Sequence, residues 1–448
     1  MRKLRVFLAV LAVLLVAGIS SAQTTMTLNG IIRVYPEMNN YGFGKINYSA
    51  NSGTNSFVDQ RARLFFNLKT GDNLGGTVAF EMDSRWGDRA YNNGRNTGGG
   101  LEADTVNAET KNAYLWFKPS NDLKLTLGIQ GYTDDFKGVI LGGADIAGIK
   151  ADYTVSPTSS FSAGIFTFFD QDVAKSDAVY FIPLSYKQKI GNDTLTVAFY
   201  TIKDSSTYQE VADTTYGQRP LTTTTTPKKA DYDSARIHYL GAKYEGKVSD
   251  VSYSVMGFYN YGTFEKIGSK TGPDKDISAF LFGADAAMKL GDGKVKAALL
   301  YASGDKSTTD YNGIVTGNQY SVGADLPLLQ NDLYLILRTL DGITHSTAFF
   351  TDLNNGGLGA TVVYATYDQN LSDKLNVQAA LGYGKANEKN ASNLTPAITE
   401  INAQAAYKFD KALTIKAALA YGILSDVKVG TADADNLYRA MLKFQYAF

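Results

Sequence analysis

Past residue 22 the chain has no apolar run approaching 18 residues, so it cannot cross a bilayer as helices. What it repeats is alternation. The closing stretch, Leu437 to Phe448, carries Tyr438, Ala440, Leu442, Phe444, Tyr446 and Phe448 on one face and Leu437, Arg439, Met441, Lys443, Gln445 and Ala447 on the other. A period of two marks a strand with unlike faces. Its length suits a tilted bilayer crossing, which takes roughly 9 to 11 residues, and its apolar face ends in aromatics. The competing reading, a strand packed on a soluble β-domain, has to be weighed against the rest of the chain.

The rest repeats the same plan. Val58, Gln60, Ala62, Leu64, Phe66 and Leu68 share one face; Asp59, Arg61, Arg63, Phe65, Asn67 and Lys69 share the other. Gly71-Asp72-Asn73 turns the chain, and Val78, Phe80 and Met82 return opposite Ala79, Glu81 and Asp83. An Arg or Lys facing lipid costs roughly 2 to 4 kcal/mol at the midplane, so Arg61, Arg63, Glu81 and Asp83 point to the inside of any closed sheet. Antiparallel pairing about that turn sets Arg63 opposite or diagonal to Glu81, and Arg61 to Asp83. Further hairpins follow to the end of the chain, with short turns at one end and long loops rich in Gly, Asn, Asp, Ser and Thr at the other. The pattern predicts an all-β fold, an antiparallel up-and-down transmembrane barrel of about 18 strands, with roughly 16 to 20 as the bracket. The open stretch is Gln319 to Leu340, where Tyr320 to Leu326 and Leu333 to Leu340 could add a hairpin, although Leu326-Pro327-Leu328-Leu329 alternates poorly.

Residues 1–22 read as a signal peptide: Arg2, Lys3 and Arg5, then Val6 to Ile19, then Ser20-Ser21-Ala22. The barrel is expected over 23–448, entering its first strand at once, which leaves no room for an N-terminal plug. No Cys occurs, which rules out a lipid-modified cysteine, disulfides and thiolate metal sites. Without Arg2, Lys3 and Arg5 the charge falls from 43 cations against 44 anions to 40 against 44, so nothing suggests a nucleic-acid partner.

The closing strand, with its terminal Phe, resembles that of Gram-negative outer-membrane barrels. The resemblance implies an integral outer-membrane protein with both termini periplasmic, surrounded by lipid and lipopolysaccharide. It also implies that Phe444, Tyr446 and Phe448 address the barrel-assembly machinery. The stretch Gly131 to Ala147 mixes acids with apolar residues and follows a basic early wall, and here the chain resembles porins as a family. That likeness implies a third loop folded into the barrel, with Asp134, Asp135 and Asp145, beside Lys137, set against Arg33, Arg61, Arg63, Lys111 and Lys124 across an eyelet. Small hydrophilic solutes would diffuse through, selected by pore size and lumen charge, and a homotrimer is one possible assembly. The plain alternative is an external loop and a solvated wall ladder.

Other chemistry finds little footing. His238 lies in a strand and His345 in a loop, without triad spacing. The run Gly94 to Gly100 lacks the Lys and Ser/Thr of a phosphate loop. Asp433 and Asp435 have a spacing too common to assign a metal, and Thr222 to Thr226 reads as loop. The expectation is a channel, not an enzyme, with no cofactor. The alternatives are a substrate-specific uptake channel for a sugar, phosphate or carboxylate, and an anionic-polysaccharide export barrel with some likeness to the alginate-export type. A barrel with a filled interior is disfavoured, since side chains alone fill only barrels of about eight strands.

Overall fold

The computed structural model describes residues 23–42, 46–88, 99–102, 106, 108–170, 178–205, 232–266, 272–320, 333–337 and 348–448. Eighteen antiparallel strands form one sheet, each paired with its neighbours in sequence. They are β1 (Thr24–Asn39), β2 (Asn55–Thr70), β3 (Leu74–Arg85), β4 (Ala108–Phe117), β5 (Leu123–Tyr132), β6 (Ala144–Ser156), β7 (Ser159–Phe169), β8 (Val179–Ile190) and β9 (Asp193–Asp204). The second half holds β10 (Ser234–Val248), β11 (Val251–Glu265), β12 (Lys275–Leu290), β13 (Gly293–Ala302), β14 (Ala360–Asn370), β15 (Leu375–Lys385), β16 (Ala397–Lys408), β17 (Leu413–Ser425) and β20 (Leu437–Ala447). A two-rung hairpin, β18 (Lys428–Val429) with β19 (Ala432–Asp433), stands apart from the barrel.

Closure is made between the two ends of the chain. β20 pairs with both β17 and β1, with Phe444 opposite Val34 and Tyr446 opposite Ile32. The Gly30 amide donates to the Phe448 carbonyl (2.9 Å), and the Phe448 amide donates to the Gly30 carbonyl (3.0 Å). A side chain at Gly30 would meet the Phe448 ring at 2.5 Å, so a glycine here lets the terminal aromatic lie against the seam. The Tyr446 and Phe448 rings stack at 5.5 Å on the outer face. A closed sheet leaves no edge, which is why a chain with no helix of membrane-crossing length among its described residues can span lipid.

Alternation holds around the wall. Outward positions such as Leu28, Leu115, Ile149, Leu240, Phe280, Leu381 and Leu419 stay exposed, as residues meant for lipid must be in the isolated protein. The eight connections on one side are turns of two to five residues; the loops on the other side are longer. Two of those loops turn inward: L3 (133–143) between β5 and β6, and L7 (303–359) between β13 and β14. No strand of the barrel falls inside L7 among the described residues. Its described parts are irregular, with short 3-10 turns at Gly317–Tyr320 and Asn355–Gly357. The extra hairpin considered for Gln319 to Leu340 is therefore absent where the chain is described: Leu333 to Leu337 are buried without strand structure, and 321–332 and 338–340 lie outside the described residues. Residues 1–22, Thr222 to Thr226, His345 and most of Gly94 to Gly100 also lie outside them.

Candidate functional site

The inner wall of β1–β3 and β20 carries charge in register. Arg61 faces Asp83 and Arg63 faces Glu81 directly across the β2–β3 ladder. Arg61 grips Asp83 with Nε and Nη2, each at 2.7 Å, and reaches Glu81 at 3.1 Å; Arg63 also bonds Glu81. Arg439 of β20 pairs with Glu37 of β1 at 2.7 Å and donates to the Tyr334 carbonyl of L7 at 3.4 Å. Arg33 donates to Gln445 at 2.7 Å. The Arg61 and Arg439 ion pairs are dry, with side-chain exposure of 6% for Arg61, 3% for Glu81 and 1% for Asp83, while Arg63 keeps 22%.

L3 enters because it cannot remain outside. Phe136, Val139, Ile140 and Leu141 are apolar, and a Phe side chain gains about 1.5 to 3 kcal/mol on full burial; all four are buried. The Phe136 ring packs on Phe258 of β11 (4.1 Å between centroids) and Tyr200 of β9 (6.2 Å). Lys137 bonds Asp285 of β12, so the loop crosses the bore from β5 to β12. Asp134 folds the loop on itself, accepting from the amides of Phe136 (2.7 Å), Gly138 (3.2 Å), Ile140 (2.8 Å) and Leu141 (2.8 Å). Burial pushes its carboxyl up to about 6, against the pull of those four amides. Asp135 pairs with Lys187 of β8 at 2.5 Å. Burial alone would raise its carboxyl, but the Lys187 ammonium and the Ser185 hydroxyl outweigh that and hold it below the usual range.

L7 occupies the opposite side. Glu400 of β16 is fully buried and accepts from three successive amides, Tyr334 (2.6 Å), Leu335 (2.9 Å) and Ile336 (2.8 Å), and from Asn402 (2.7 Å). Beside it Leu333, Leu335 and Ile336 lie over Gly382, Gly384 and Gly422, whose inward faces have no side chains to block them. The two loops are also joined. Asn318 of L7 donates its amide to the Ile140 carbonyl (3.1 Å) and its side chain to the Gly138 carbonyl (3.3 Å), and accepts from the Gly142 amide (3.0 Å).

Below L3 and against β4–β8 lies an open polar cavity of about 520 Å3, lined by Lys124, Lys150, Lys187, Asp135, Asp152 and Ser162 among others. Its charges are wet: side-chain exposure is 45% for Lys187, 41% for Asp152 and 32% for Lys150. Lys150 pairs with Asp152 at 2.8 Å, and Ser162 donates to Asp152 at 2.9 Å. Lys124 lies over the Trp116 ring at 5.2 Å and has no carboxylate partner among the described residues.

The facing of loop acids and wall arginines expected across an eyelet takes a different form. Asp134 turns to its own loop's amides because a buried carboxylate needs donors at hand, and Asp135 meets Lys187, not an arginine. Asp145 lies in β6 and is strapped to Lys111 (2.8 Å) and Asn112 (3.2 Å) across Gly131 of the intervening strand. Sequence reasoning missed Glu400, Asn318, Lys150 and Lys187. The clue available for L7 was its apolar content: Leu333 to Leu337 neither alternates nor suits water, so it needs a core of its own.

A Gram-negative porin family model matches residues 8–391. The chain belongs to the Gram-negative porin family. It is an integral outer-membrane β-barrel that forms a channel, with periplasmic termini. Solved structures share the fold. A BenF-like porin from Pseudomonas fluorescens Pf-5 is 12% identical at a TM-score of 0.56, covering 94% of this chain and 98% of that one. Pseudomonas aeruginosa OccK2 (OpdF), solved with glucuronate, is 12% identical at 0.55, with 94% and 98% covered. Acinetobacter baumannii OccAB4 is 13% identical at 0.53, with 96% and 100% covered. No curated protein matches this porin.

Proposed function

We propose that small hydrophilic solutes diffuse through this porin past a constriction made jointly by L3 and L7, with size and lumen charge as the filter and no catalytic turnover or cofactor. The Asn318 clasp carries the reading, because it makes one narrowing element of two loops that approach from opposite walls. Arg33, Arg61, Arg63, Glu81 and Asp83 contribute a fixed wall field, and Lys111 and Asp145 brace β4 to β6 beside it. Phe444, Tyr446 and Phe448 serve as the assembly signal read by the barrel-assembly machinery, with lipopolysaccharide around the outer rim and a homotrimer as the assembly. Cleavage after Ala22 would leave residues 23–448 as the mature barrel.

A second reading, substrate-specific uptake, is favoured by the polar cavity below L3, and structural neighbours include one solved with glucuronate and one with vanillate. Polysaccharide export fits less well, since L7 fills the side of the bore that a polymer would need. Liposome swelling with a graded series of sugars and sugar acids separates these. Rates that fall smoothly with solute size support diffusion, whereas one solute that saturates and outpaces smaller ones supports the specific channel.

A further inference from the structure

Of the two arginines that strand phase first picks out, Arg61 is nearly sealed from water, with 6% of its side chain exposed, and Arg63 keeps 22%. A charged group can act directly on a passing solute only where water reaches it. The Arg61, Glu81, Asp83, Arg439 and Glu37 side chains are at most 6% exposed and paired with one another, so they stand behind the path. The described part of L7 packs on the β15–β17 side and L3 crosses to β12, and a polar cavity opens against β4–β8 beneath L3 among the described residues.

We propose that this cavity is a solute-binding station on the conducting path, and that it takes small monoanions carrying several hydroxyl groups. The charge count carries the class: three ammonium groups line it against two carboxylates, and both carboxylates already have a lysine. Lys124, held over Trp116, is the cation left for a solute. The hydroxyls of Thr133, Thr154, Ser160 and Ser162, none of them buried, line the cavity, suited to a polyhydroxylated partner. At about 520 Å3 the cavity lies within the usual range of small-molecule sites, roughly 300 to 1,000 Å3. Lys187, bonded to Asp135 of L3, ties the roof of the station to its wall.

The inference rests on the porin reading, and the test separates the two. Full-length protein is inserted in planar bilayers at low salt, and reversal potential and current are measured with and without gluconate. In the native channel gluconate lowers the chloride current. In the triple variant Lys124→Gln, Lys150→Gln, Lys187→Gln that reduction disappears, and selectivity moves toward cations by at least about fivefold, the size of a single unit charge in contact range in water. A triple variant with native selectivity and native gluconate response overturns the station. Should the triple variant fail to fold, Ser162→Cys gives an independent arm, since the chain has no other cysteine. Reaction with a bulky thiol reagent then lowers its conductance; complete labelling without loss of current also overturns the station. A native protein that conducts nothing would overturn the porin reading itself.

Discussion

The charges of β1–β3 and those of β4–β8 sit on the same inner wall and differ in one respect, their access to water. Arg61, Glu81 and Asp83 are packed against one another and nearly sealed, at most 6% exposed; around Lys187 the pairs are as short but up to 45% exposed. Buried pairs have little left to offer a solute, yet losing one partner leaves the other charged and dry. Exposed pairs contribute little to stability, because water and salt already screen them. One stretch of wall is therefore a staple in the barrel, and the other a surface that can select. The direction of a side chain alone does not separate the two roles.

The largest effect should come from breaking that staple. Arg61→Gln withdraws one guanidinium from Asp83 and Glu81 in a dry place, a loss expected to cost about 3 to 5 kcal/mol. Lys187→Gln, in a half-exposed pair, should cost about 0 to 1 kcal/mol. Urea unfolding from liposomes, followed by heat-sensitive gel migration, compares them directly. Equal losses in the two variants would erase the distinction between the walls.

That distinction was only half legible in the sequence. Strand phase was, because lipid punishes a misplaced charge and so fixes which face Arg61, Arg63, Glu81 and Asp83 take; the β2–β3 register followed from the turn at Gly71. Depth of burial was not, since it depends on what L3 and L7 put in front of each strand, and loop paths carry no period. The inward turn of L3 was readable in Phe136 and Ile140, apolar residues in what should be a polar loop. Glu400 offered no such sign, being one inward carboxylate whose three donors come from a segment 64 to 66 residues away.

Removing those donors' acceptor sharpens the comparison from the opposite wall. Glu400→Ala orphans the amides of Tyr334, Leu335 and Ile336, each buried donor costing about 1 to 3 kcal/mol when unsatisfied. Because L7 is attached to an intact barrel, the loss should appear as release of the loop: higher mean conductance and a larger size limit in liposome swelling, with gel migration unchanged. Glu400→Gln, which keeps one acceptor, should fall between. A smaller change is expected at Asn318→Ala, where bonds worth about 0.5 to 1.5 kcal/mol each are lost and L3 keeps its own anchors. Single-channel records should show more frequent brief transitions at nearly native conductance. A record as quiet as the native one would mean that the clasp holds nothing the walls do not already hold.

The smallest effect concerns acid, and its sign runs against intuition. Asp134 titrates at about 6 in the folded loop, above its ordinary 3.8, so the folded state binds the proton more tightly than the unfolded one. Stability of the closed loop therefore falls as pH rises from 3.8 to about 6 and is flat above. Lowering pH from 7 to 5 should hold L3 more firmly, not open it. Asp135, kept ionised by Lys187, does not reverse this, since its carboxyl lies below the usual range; the other groups facing Asp134, Tyr132 and Tyr200, are phenols. Current noise should decline slightly across that interval, and Asp134→Asn, which keeps an acceptor but cannot titrate, should flatten the dependence. An acid-induced rise in conductance that survives in Asp134→Asn would place the responsive group elsewhere, with the wet carboxylates Asp135 and Asp152 as the next to replace.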